Sequence, residues 1–212
     1  MNTKGHQRYR TSDDQIVVGV TTVVGLLAKP ALVYWANRKG LDGEDSSKIA
    51  DDTAASGTLA HRIITDRLMG LKTDYSDYDS KQIDSARWSV KSWDAWSQGK
   101  VIEPIFTEAP LVSEIYRYGG TLDIYARVNG ALDLIDLKSG SGLYPEFNIQ
   151  VAAYRQLLEE NGHKVERVRI LNIPRHKTST FHEIVLGGEV LALNFKIFLH
   201  LLAVYQLRRE LK

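Results

Sequence analysis

The chain has 212 residues, of which 43% are hydrophobic and 25% charged, and its formal net charge is +1. These values are ordinary for a globular protein with a sizeable core, and nucleic-acid binding would need a local basic patch. The sequence contains no cysteine, which excludes disulfides, zinc–thiolate sites and cysteine-ligated iron–sulfur clusters and fits a reducing cytoplasm. No apolar run approaches the roughly 20 residues that cross a bilayer, so we expect a cytoplasmic protein without a membrane partner.

The first fifteen residues, MNTKGHQRYRTSDDQ, are polar and basic, with no apolar segment behind them as a secretory signal would have. We expect residues 1–15 to form a flexible arm. Lys4, Arg8 and Arg10 are candidates to touch DNA, but a solvated tail is the simpler interpretation.

Apolar residues recur at helical spacing before residue 100. Ile16–Val20 is either a short strand or the lead-in to a helix that begins at Thr21 or Thr22, each an acceptable N-cap. Three more helices, bounded by Gly or Pro, are predicted over about 31–38, 47–69 and 80–98.

Short apolar runs bounded by turn residues replace this pattern after residue 100. One or two extended segments are expected over 102–112, because Pro104 and Pro110 interrupt the run. A helix, two strands and a final helix with one strongly apolar side are predicted at about 147–160, 165–173, 180–186 and 189–211. This order predicts one α/β domain over 16–212, with a helical part over 16–99 and a mixed-sheet core over 100–212.

Asn129-Gly130 lies between two apolar runs, about 121–128 and 131–137, and predicts a two-residue hairpin turn, because both residues accept positive φ. In that register Val128 faces Ala131.

The same register places Asp123 directly opposite Asp136, with Cβ atoms about 5 Å apart on one face, and alternation puts Lys138 on that face as well. Two like charges so placed destabilise a sheet unless a cation lies between them. The hairpin therefore predicts a metal site.

Four motifs occur in order: GTLAH at 57–61, GTLD at 120–123, LIDLKSG at 134–140 and QVAAY at 150–154. Together they resemble the PD-(D/E)XK nuclease superfamily, and most closely its RecB-like exonuclease branch, which includes bacteriophage versions. The matches span nearly half of the chain, and the terminal regions resemble the phage members only loosely. The resemblance implies a restriction-endonuclease-like core, in which helices flank a mixed central sheet.

By this resemblance, the metal ligands are His61, Asp123, Asp136 and the backbone carbonyl of Leu137. Oxygen ligands suit Mg²⁺ and a nitrogen ligand suits Mn²⁺, so we expect either ion to support phosphodiester hydrolysis.

Lys138 would orient the attacking water or stabilise the transition-state phosphate. The resemblance places Gln150 and Tyr154 on the helix over this face, one turn apart, where they would hold Lys138 or a DNA phosphate.

A purely structural role remains an alternative for several of these residues. Asp136 and Lys138 could form an exposed ion pair, His61 could be an ordinary helix histidine, and Tyr154 could pack in the core. Gln150 lies at the edge of an apolar stripe, where a polar side chain needs a partner.

Three other acidic residues lie near these motifs in the sequence. Asp133 has the opposite strand parity from Asp136 and is excluded from the metal site. Family members often carry an acidic residue ahead of the GTLD strand, and either Glu108 or Glu114 could correspond to it.

Candidate DNA contacts lie mainly in the basic loop Pro174-Arg-His-Lys177, where Arg175 and Lys177 could grip the backbone, although an ordinary exposed loop is an equal alternative. Arg62 and Arg155 could contact phosphates or pair with carboxylates. The four tryptophans could include a base-stacking platform but are more often core residues: Trp35, Trp88, Trp93 and Trp96.

The expected function is that of a metal-dependent DNA exonuclease acting at DNA ends in recombination, repair or phage replication. A structure-specific or restriction-like endonuclease and a catalytically inactive DNA-binding module remain alternatives. Without cysteines the chain cannot carry the iron–sulfur cluster that pins the termini of several relatives, which favours the compact phage type, at work in the host cytoplasm. The expected partners are DNA and a single-strand annealing protein, and a homo-oligomer remains open.

Overall fold

The computed structural model describes residues 8–140 and 142–211, which form a seven-stranded mixed sheet flanked by helices. The strands are β1 (Tyr9–Arg10), β2 (Ile16–Gly19), β3 (Ile102–Ser113), β4 (Tyr118–Val128), β5 (Ala131–Lys138), β6 (Arg167–Asn172) and β7 (His182–Leu186). The helices are α1 (Val20–Val24), α2 (Pro30–Leu41), α3 (Ser46–Leu68), α4 (Ser80–Ser97), α5 (Pro145–Glu160) and α6 (Gly188–Glu210).

The long helices α3 and α4 begin within one residue of the predicted positions, and in both an aspartate caps the first turn. The Asp45 side chain accepts hydrogen bonds from the first turn of α3. Asp79 and Gln82 form a reciprocal capping box at the start of α4. Helices α2 and α5 begin at Pro30 and Pro145, one or two residues earlier than predicted, because proline at the first helical position lacks only a donor that would be unpaired there.

The N-terminal segment differs from the predicted arm. Residues 1–7, including Lys4, lie outside the described residues. Tyr9–Arg10 pairs antiparallel with β2, and the Tyr9 hydroxyl lies 3.0 Å from Thr121 Oγ1 on β4. Two residues of the predicted arm, Tyr9 and Arg10, are therefore part of the sheet. The Tyr9 ring packs on Gly119, where a Cβ atom would lie 2.3 Å from it.

The extended segment after residue 100 is one long strand, β3, despite its two prolines. β3 pairs antiparallel with β4 and is an edge strand of the sheet, so Pro104 and Pro110 remove donors that no neighbouring strand needs. A shift in register between Pro104 and Phe106 also absorbs an extra residue.

The sheet separates two apolar layers. One layer lies under α1, α5 and α6 and contains Leu122, Leu134 and Phe198. The other lies under α3 and α4 and contains Ile124, Leu137 and Trp93. We call these sides the α5 face and the α3 face. Strands β5 and β6 run parallel, connected through α5, and the other neighbouring strands of the core, β4–β5 and β6–β7, are antiparallel.

Helix α6 is more exposed than its composition predicts. Among the described residues, α6 is the one helix that is long and apolar enough, by length and composition, to cross a membrane, and 17% of its apolar window is buried. The expectation that no segment is long and apolar enough to span a bilayer is therefore wrong for this helix. Its Leu191, Phe198 and Leu202 side chains are nonetheless buried in the layer under α5, as in a helix that belongs to the fold.

Candidate functional site

The sheet forks at the centre of β4. The Asn129-Gly130 turn has positive φ at both residues, and the β4–β5 pairing follows the predicted register from Val128↔Ala131 to Ile124↔Ile135. There the pairing stops. Further along β4 the same edge pairs with β2, at Tyr118 and Gly119. A gap in the sheet therefore opens beside Asp123 and Asp136.

Asp123 lies at this gap and not on a regular strand face. Leu122 packs on the α5 face and Ile124 on the α3 face, whereas residues two apart on a regular strand share a face. The alternation is thus interrupted at Asp123. Its Oδ2 accepts a hydrogen bond of 2.7 Å from the Leu137 backbone N–H, in place of a ladder bond.

His61 reaches Asp123 from helix α3, with 3.4 Å between Nδ1 and Oδ1. Gly57, one turn earlier, lets the helix approach the end of β5, since a Cβ atom there would lie 2.5 Å from Ser139 Oγ. This close approach is the structural reason for a glycine four residues before the histidine.

Glu108 completes a close group with these two residues. One ligand atom from each of His61, Glu108 and Asp123 lies within 4.8 Å of the others. Glu108 stands on β3 between the pairs Thr107↔Ile124 and Ala109↔Leu122, opposite Asp123, and has a φ of 49°. Positive φ is uncommon for a residue with a side chain and is found at functional sites.

The structure thereby separates the two glutamates that the sequence left open. Glu114 lies at the N-terminal segment, where it accepts a hydrogen bond from the Ser12 backbone and lies 3.6 Å from Arg117. Glu108 is the acidic residue beside Asp123.

Asp136 lies outside that close group. It alternates with Ile135 and Leu137, which pack on the α3 face, so its side chain points to the α5 face. Only 1% of its side chain is exposed, and Lys138 Nζ is 2.6 Å from Oδ2. Neither Asp136 oxygen has a hydrogen-bond partner of acceptable geometry in the described part of the chain, so Lys138 contacts Oδ2 as an ion pair and Oδ1 has no partner there.

A side chain of helix α5 fixes the position of Lys138. Lys138 Nζ donates to Gln150 Oε1 at 3.2 Å, and Gln150 Nε2 donates to the Tyr154 hydroxyl at 2.9 Å. Tyr154 fits because Gly120 has no side chain, as a Cβ atom there would lie 2.6 Å from the tyrosine ring. Gln150 thus has the partner that its position on the apolar stripe required.

The charges of the site shift one another's pKa values. Burial alone would lower the pKa of His61, but the Asp123 carboxylate raises it by more. Burial acts to raise the pKa of Asp123, yet the net pKa is lowered by His61, Lys138 and the Leu137 hydrogen bond. Burial raises the pKa of Asp136 to about 6, against the opposing charge of Lys138. Burial and the nearby Asp136 charge raise the pKa of Tyr154.

Two clefts meet at His61. A cleft of about 400 Å³ contains Glu108, Asp123 and Arg62. A groove of about 820 Å³ runs on the other side of His61, past Lys138 and Arg175. His61 therefore lies at the boundary of two clefts that are open to solvent.

The other predicted DNA-contact residues differ in their exposure and in their partners within the protein. Arg175 Nη1 donates to the Thr53 carbonyl of α3 at 3.0 Å, whereas Lys177 is exposed. Arg62 and Arg155 each lie near a carboxylate one turn further along their own helix, Asp66 at 3.8 Å and Glu159 at 2.8 Å.

The tryptophans and Asp133 also differ in surroundings. Trp93 and Trp96 are core residues, Trp35 lines the large groove, and Trp88 is 37% exposed. Asp133, which strand parity excluded from the metal site, is fully buried and pairs with Arg167 and Arg169.

No family model matches the chain, and no curated protein matches its sequence. Solved structures similar to it include a candidate exonuclease from Eubacterium rectale, with a TM-score of 0.47 at 12% identity over 68% of this chain and 64% of that one. The chain thus spans less than two thirds of that protein's length. The alkaline exonuclease LHK-Exo from Laribacter hongkongensis is similar at a TM-score of 0.40 and 13% identity over 92% of both chains. Its complex with dAMP has a TM-score of 0.42. These similarities are remote, so the function must be argued from the side chains above.

Proposed function

We propose that the chain is a metal-dependent phosphodiester hydrolase that acts on DNA. The observation that carries the proposal is the close group of one imidazole and two carboxylates, His61, Glu108 and Asp123, beside a lysine held by a buried aspartate. Carboxylates gathered in this way repel one another unless a cation is shared between them.

The donor set fits a divalent cation. Two carboxylates and an imidazole supply the oxygen and nitrogen atoms that Mg²⁺ and Mn²⁺ accept. Asp136 Oδ1, buried and without a hydrogen-bond partner among the described residues, is a further atom that a cation would satisfy. When bound, the ion would supply Lewis acidity and a water of lowered pKa. The ligand role of the Leu137 carbonyl remains a prediction from the resemblance.

The chain's own residues would divide the remaining work. His61, Glu108 and Asp123 would hold the cation, and the hydrogen bond from Leu137 N–H fixes one Asp123 oxygen so that the other faces His61. Lys138 has three ammonium hydrogens, of which Asp136 and Gln150 engage two, and it would use the third to orient the attacking water or to donate to a phosphate oxygen.

Gln150 and Tyr154 would act through Lys138. The Gln150 amide is fixed by its bond to the Tyr154 hydroxyl, so that its oxygen faces the lysine. In this arrangement the ammonium is held in place before substrate binds, which is what preorganised stabilisation of phosphate charge requires.

Cleavage from DNA ends, in recombination, repair or phage replication, belongs to the same proposal and rests on the resemblance of the four motifs. Metal-site geometry does not by itself distinguish cleavage at ends from internal cleavage. An endonuclease therefore remains the second candidate.

The test is digestion of linear and covalently closed circular DNA of the same sequence, with Mg²⁺ or Mn²⁺. We expect degradation of the linear form alone. Loss of both forms would indicate an endonuclease, and survival of both forms would contradict a nuclease function. Asp123→Asn should weaken Mn²⁺ binding measured by calorimetry, which ties the activity to this site.

A further inference from the structure

A cleft of about 450 Å³, separate from the two that meet at His61, lies between α4 and the loop that follows β6. Its lining combines aromatic and basic side chains, notably Trp88, Phe181, Lys91 and Lys177. Among the described residues that line it there is no carboxylate. We call it the Trp88 cleft. The site described above does not use it.

Trp88 is the distinctive residue of this cleft. A tryptophan has a large apolar surface, and Trp93 and Trp96 on the same helix are buried, yet Trp88 remains 37% exposed. Lys91 Nζ lies 4.0 Å from the centroid of its ring. An exposed ring beside two lysines matches the chemistry of a nucleotide, whose base stacks on aromatic faces and whose phosphate attracts cations.

The loop connects this cleft to the proposed active site. The Ile173 backbone N–H donates to the Lys138 carbonyl at 2.8 Å, so the loop begins beside Lys138. Arg175 pins the loop to α3, and His176 lines both the Trp88 cleft and the large groove along Lys138. The four residue steps from Ile173 to Lys177 span at most about 14 Å. That is no more than about four nucleotides even at the compact 3.4 Å rise of a stacked strand.

We propose that the Trp88 cleft binds a single-stranded segment of the DNA substrate, within about four nucleotides of the phosphate at Lys138. This proposal rests on the proposed function for its substrate. Trp88 stacks on a base and Lys177 and Lys91 contact the backbone. A paired base cannot leave its stack to reach the ring, so the cleft favours single strands over duplex.

The test is the affinity of a fluorescein-labelled 12-nucleotide thymidine oligomer, measured by anisotropy in EDTA so that the DNA stays intact. Trp88→Ala should weaken binding about tenfold, the loss expected for one base–aromatic stack. Tyr75→Ala is the matched control, since Tyr75 is also 37% exposed and lines neither the Trp88 cleft nor the groove. Lys177→Ala should reduce the slope of log affinity against log salt by about one, and Lys196→Ala, on the opposite side of the sheet, should not.

A blunt duplex of the same length separates the outcomes. Its affinity should change less than twofold in Trp88→Ala, and an equal loss for duplex and single strand would overturn the proposal. Unchanged single-strand binding, with linear DNA still cleaved by the wild type, would overturn the cleft proposal alone. The expected binding pattern without any cleavage would support the cleft and contradict the proposed function.

Helix α6 carries an independent feature. Its exposed large hydrophobic residues all fall on one frame of alternating three- and four-residue steps: Val190, Leu193, Ile197, Val204 and Leu207, continued by Leu211 just past the helix end. His200 occupies the remaining position of the frame. We call this surface the α6 stripe. The opposite side of the helix packs on α5, so the stripe is a second apolar surface.

This spacing is that of a coiled-coil seam, and we propose that a second copy of the chain covers the α6 stripe. The stripe spans just over three heptads, about 33 Å at 1.5 Å per residue. Knobs-into-holes packing along that length buries on the order of 1,000 Å² in total, about the minimum for a specific interface. Because this area is at the low end for specific interfaces, we expect a weak dimer that forms only at high protein concentration. A membrane is disfavoured because the helix is anchored in the core and places His200 mid-stripe.

Sedimentation velocity tests the dimer at protein concentrations from about 1 to 200 µM. This range covers about two decades of concentration, as a weak interface requires. We expect the wild type to shift from monomer to dimer. The double variant Leu193→Glu, Leu207→Glu should stay monomeric with an unchanged melting temperature, since both side chains are exposed. Ala192→Glu, exposed on the same helix but off the stripe, should still dimerise. A wild type that stays monomeric, or that instead co-sediments with anionic phospholipid vesicles, would overturn the proposal.

Discussion

Asp133 and Asp136 are two buried aspartates on one strand with opposite surroundings. Asp133 has an arginine on each oxygen, at 2.7 and 2.6 Å, whereas Asp136 has Lys138 on one oxygen and no hydrogen-bond partner on the other among the described residues. A buried charge stabilises a fold only when its partners are complete. Asp133 therefore serves the structure, and Asp136 is costly to the fold without a further ligand.

This contrast predicts opposite effects of the same substitution. Without divalent ions, Asp136→Asn should raise stability by about 1–3 kcal/mol, because it removes an incompletely paired buried charge. The melting temperature should rise by roughly 2–4 °C for each kcal/mol. Asp133→Asn should lower it, since two arginines lose their partner.

Thermal melts with and without Mn²⁺ complete this comparison. Mn²⁺ should stabilise the wild type and Asp133→Asn but have little effect on Asp136→Asn. Equal effects of the two substitutions in the absence of metal would contradict the assignment of Asp136 to the site.

Substitution of Lys138 should affect the rate of DNA cleavage far more than the affinity for DNA. Lys138→Ala should lower kcat by about 100-fold or more while leaving DNA affinity within a fewfold, because the ammonium acts on charge that develops in the transition state. Lys164→Ala, on the loop before β6, is the control and should retain activity. Normal cleavage by the Lys138 variant would show that the site is assigned wrongly.

At the scale of elements, the close approach of α3 to the end of β5 sets the position of His61. Gly57→Ala would place Cβ 2.5 Å from Ser139 Oγ, so either the helix or the hydroxyl must move. We expect at least a tenfold loss of activity, because small displacements of a catalytic group are costly. The loss should occur with little loss of stability, since alanine is the better helix former by about 1 kcal/mol.

A second substitution isolates the cause. Ser139→Ala removes the hydroxyl and leaves only a 3.7 Å contact with Ser139 Cβ, so the double variant should recover activity. A Gly57→Ala variant as active as the wild type would mean that the serine simply rotates away.

The N-terminal segment is tied to the β3–β4 turn by a bidentate ion pair between Asp13 and Arg117, at 2.7 and 3.2 Å. The Arg117 hydrogen bonds lower the pKa of Asp13 to about 2, below its usual 3.8. A carboxylate with a lowered pKa in the folded state stabilises the fold above its unfolded pKa, and the contribution is lost as pH falls through the folded value.

Asp13→Asn should therefore lower the melting temperature at pH 7, and the difference from the wild type should shrink as the pH is lowered from 4 towards 2. In an Arg117→Gln background the same substitution should have a clearly smaller effect, because the ion pair is already broken and only the Thr11 hydrogen bond to Asp13 remains. A difference that is constant with pH would rule out the ion pair as its cause.

On the scale of the whole molecule, the two apolar layers share one sheet. Leu122 and Ile124 of β4 contribute to opposite layers, and α3 and α4 bury their apolar sides on strands more than twenty residues further along the chain. The helical part and the α/β core should accordingly unfold together, as the predicted single domain requires.

Scanning calorimetry should show one transition with equal calorimetric and van't Hoff enthalpies. A fragment that ends at residue 99 should not fold, since Leu59 and Ile63 would lose their partners on β4 and β5. Two separate transitions would indicate that the helical part is a domain of its own.

The sequence alone determined the features that depend on local geometry. The hairpin register followed from Asn129-Gly130, because few residue pairs accept positive φ in succession. The helices α3 and α4 followed from periodicity and from the glycines that end them. The motifs also named His61, Asp123 and Lys138, which the fold brings to one place.

Tertiary structure decided what depends on the meeting of distant segments. The choice of Glu108 over Glu114, the turn of Asp123 out of strand alternation and the docking of Tyr9 on Gly119 each require a partner strand or helix. Side-chain alternation predicts the face of a residue only while the strand is regular. Here one edge of β4 pairs with β2 at its start and with β5 at its end, and the alternation is interrupted between them. Such a fork results from the packing of whole strands and helices, so the local sequence pattern does not predict it.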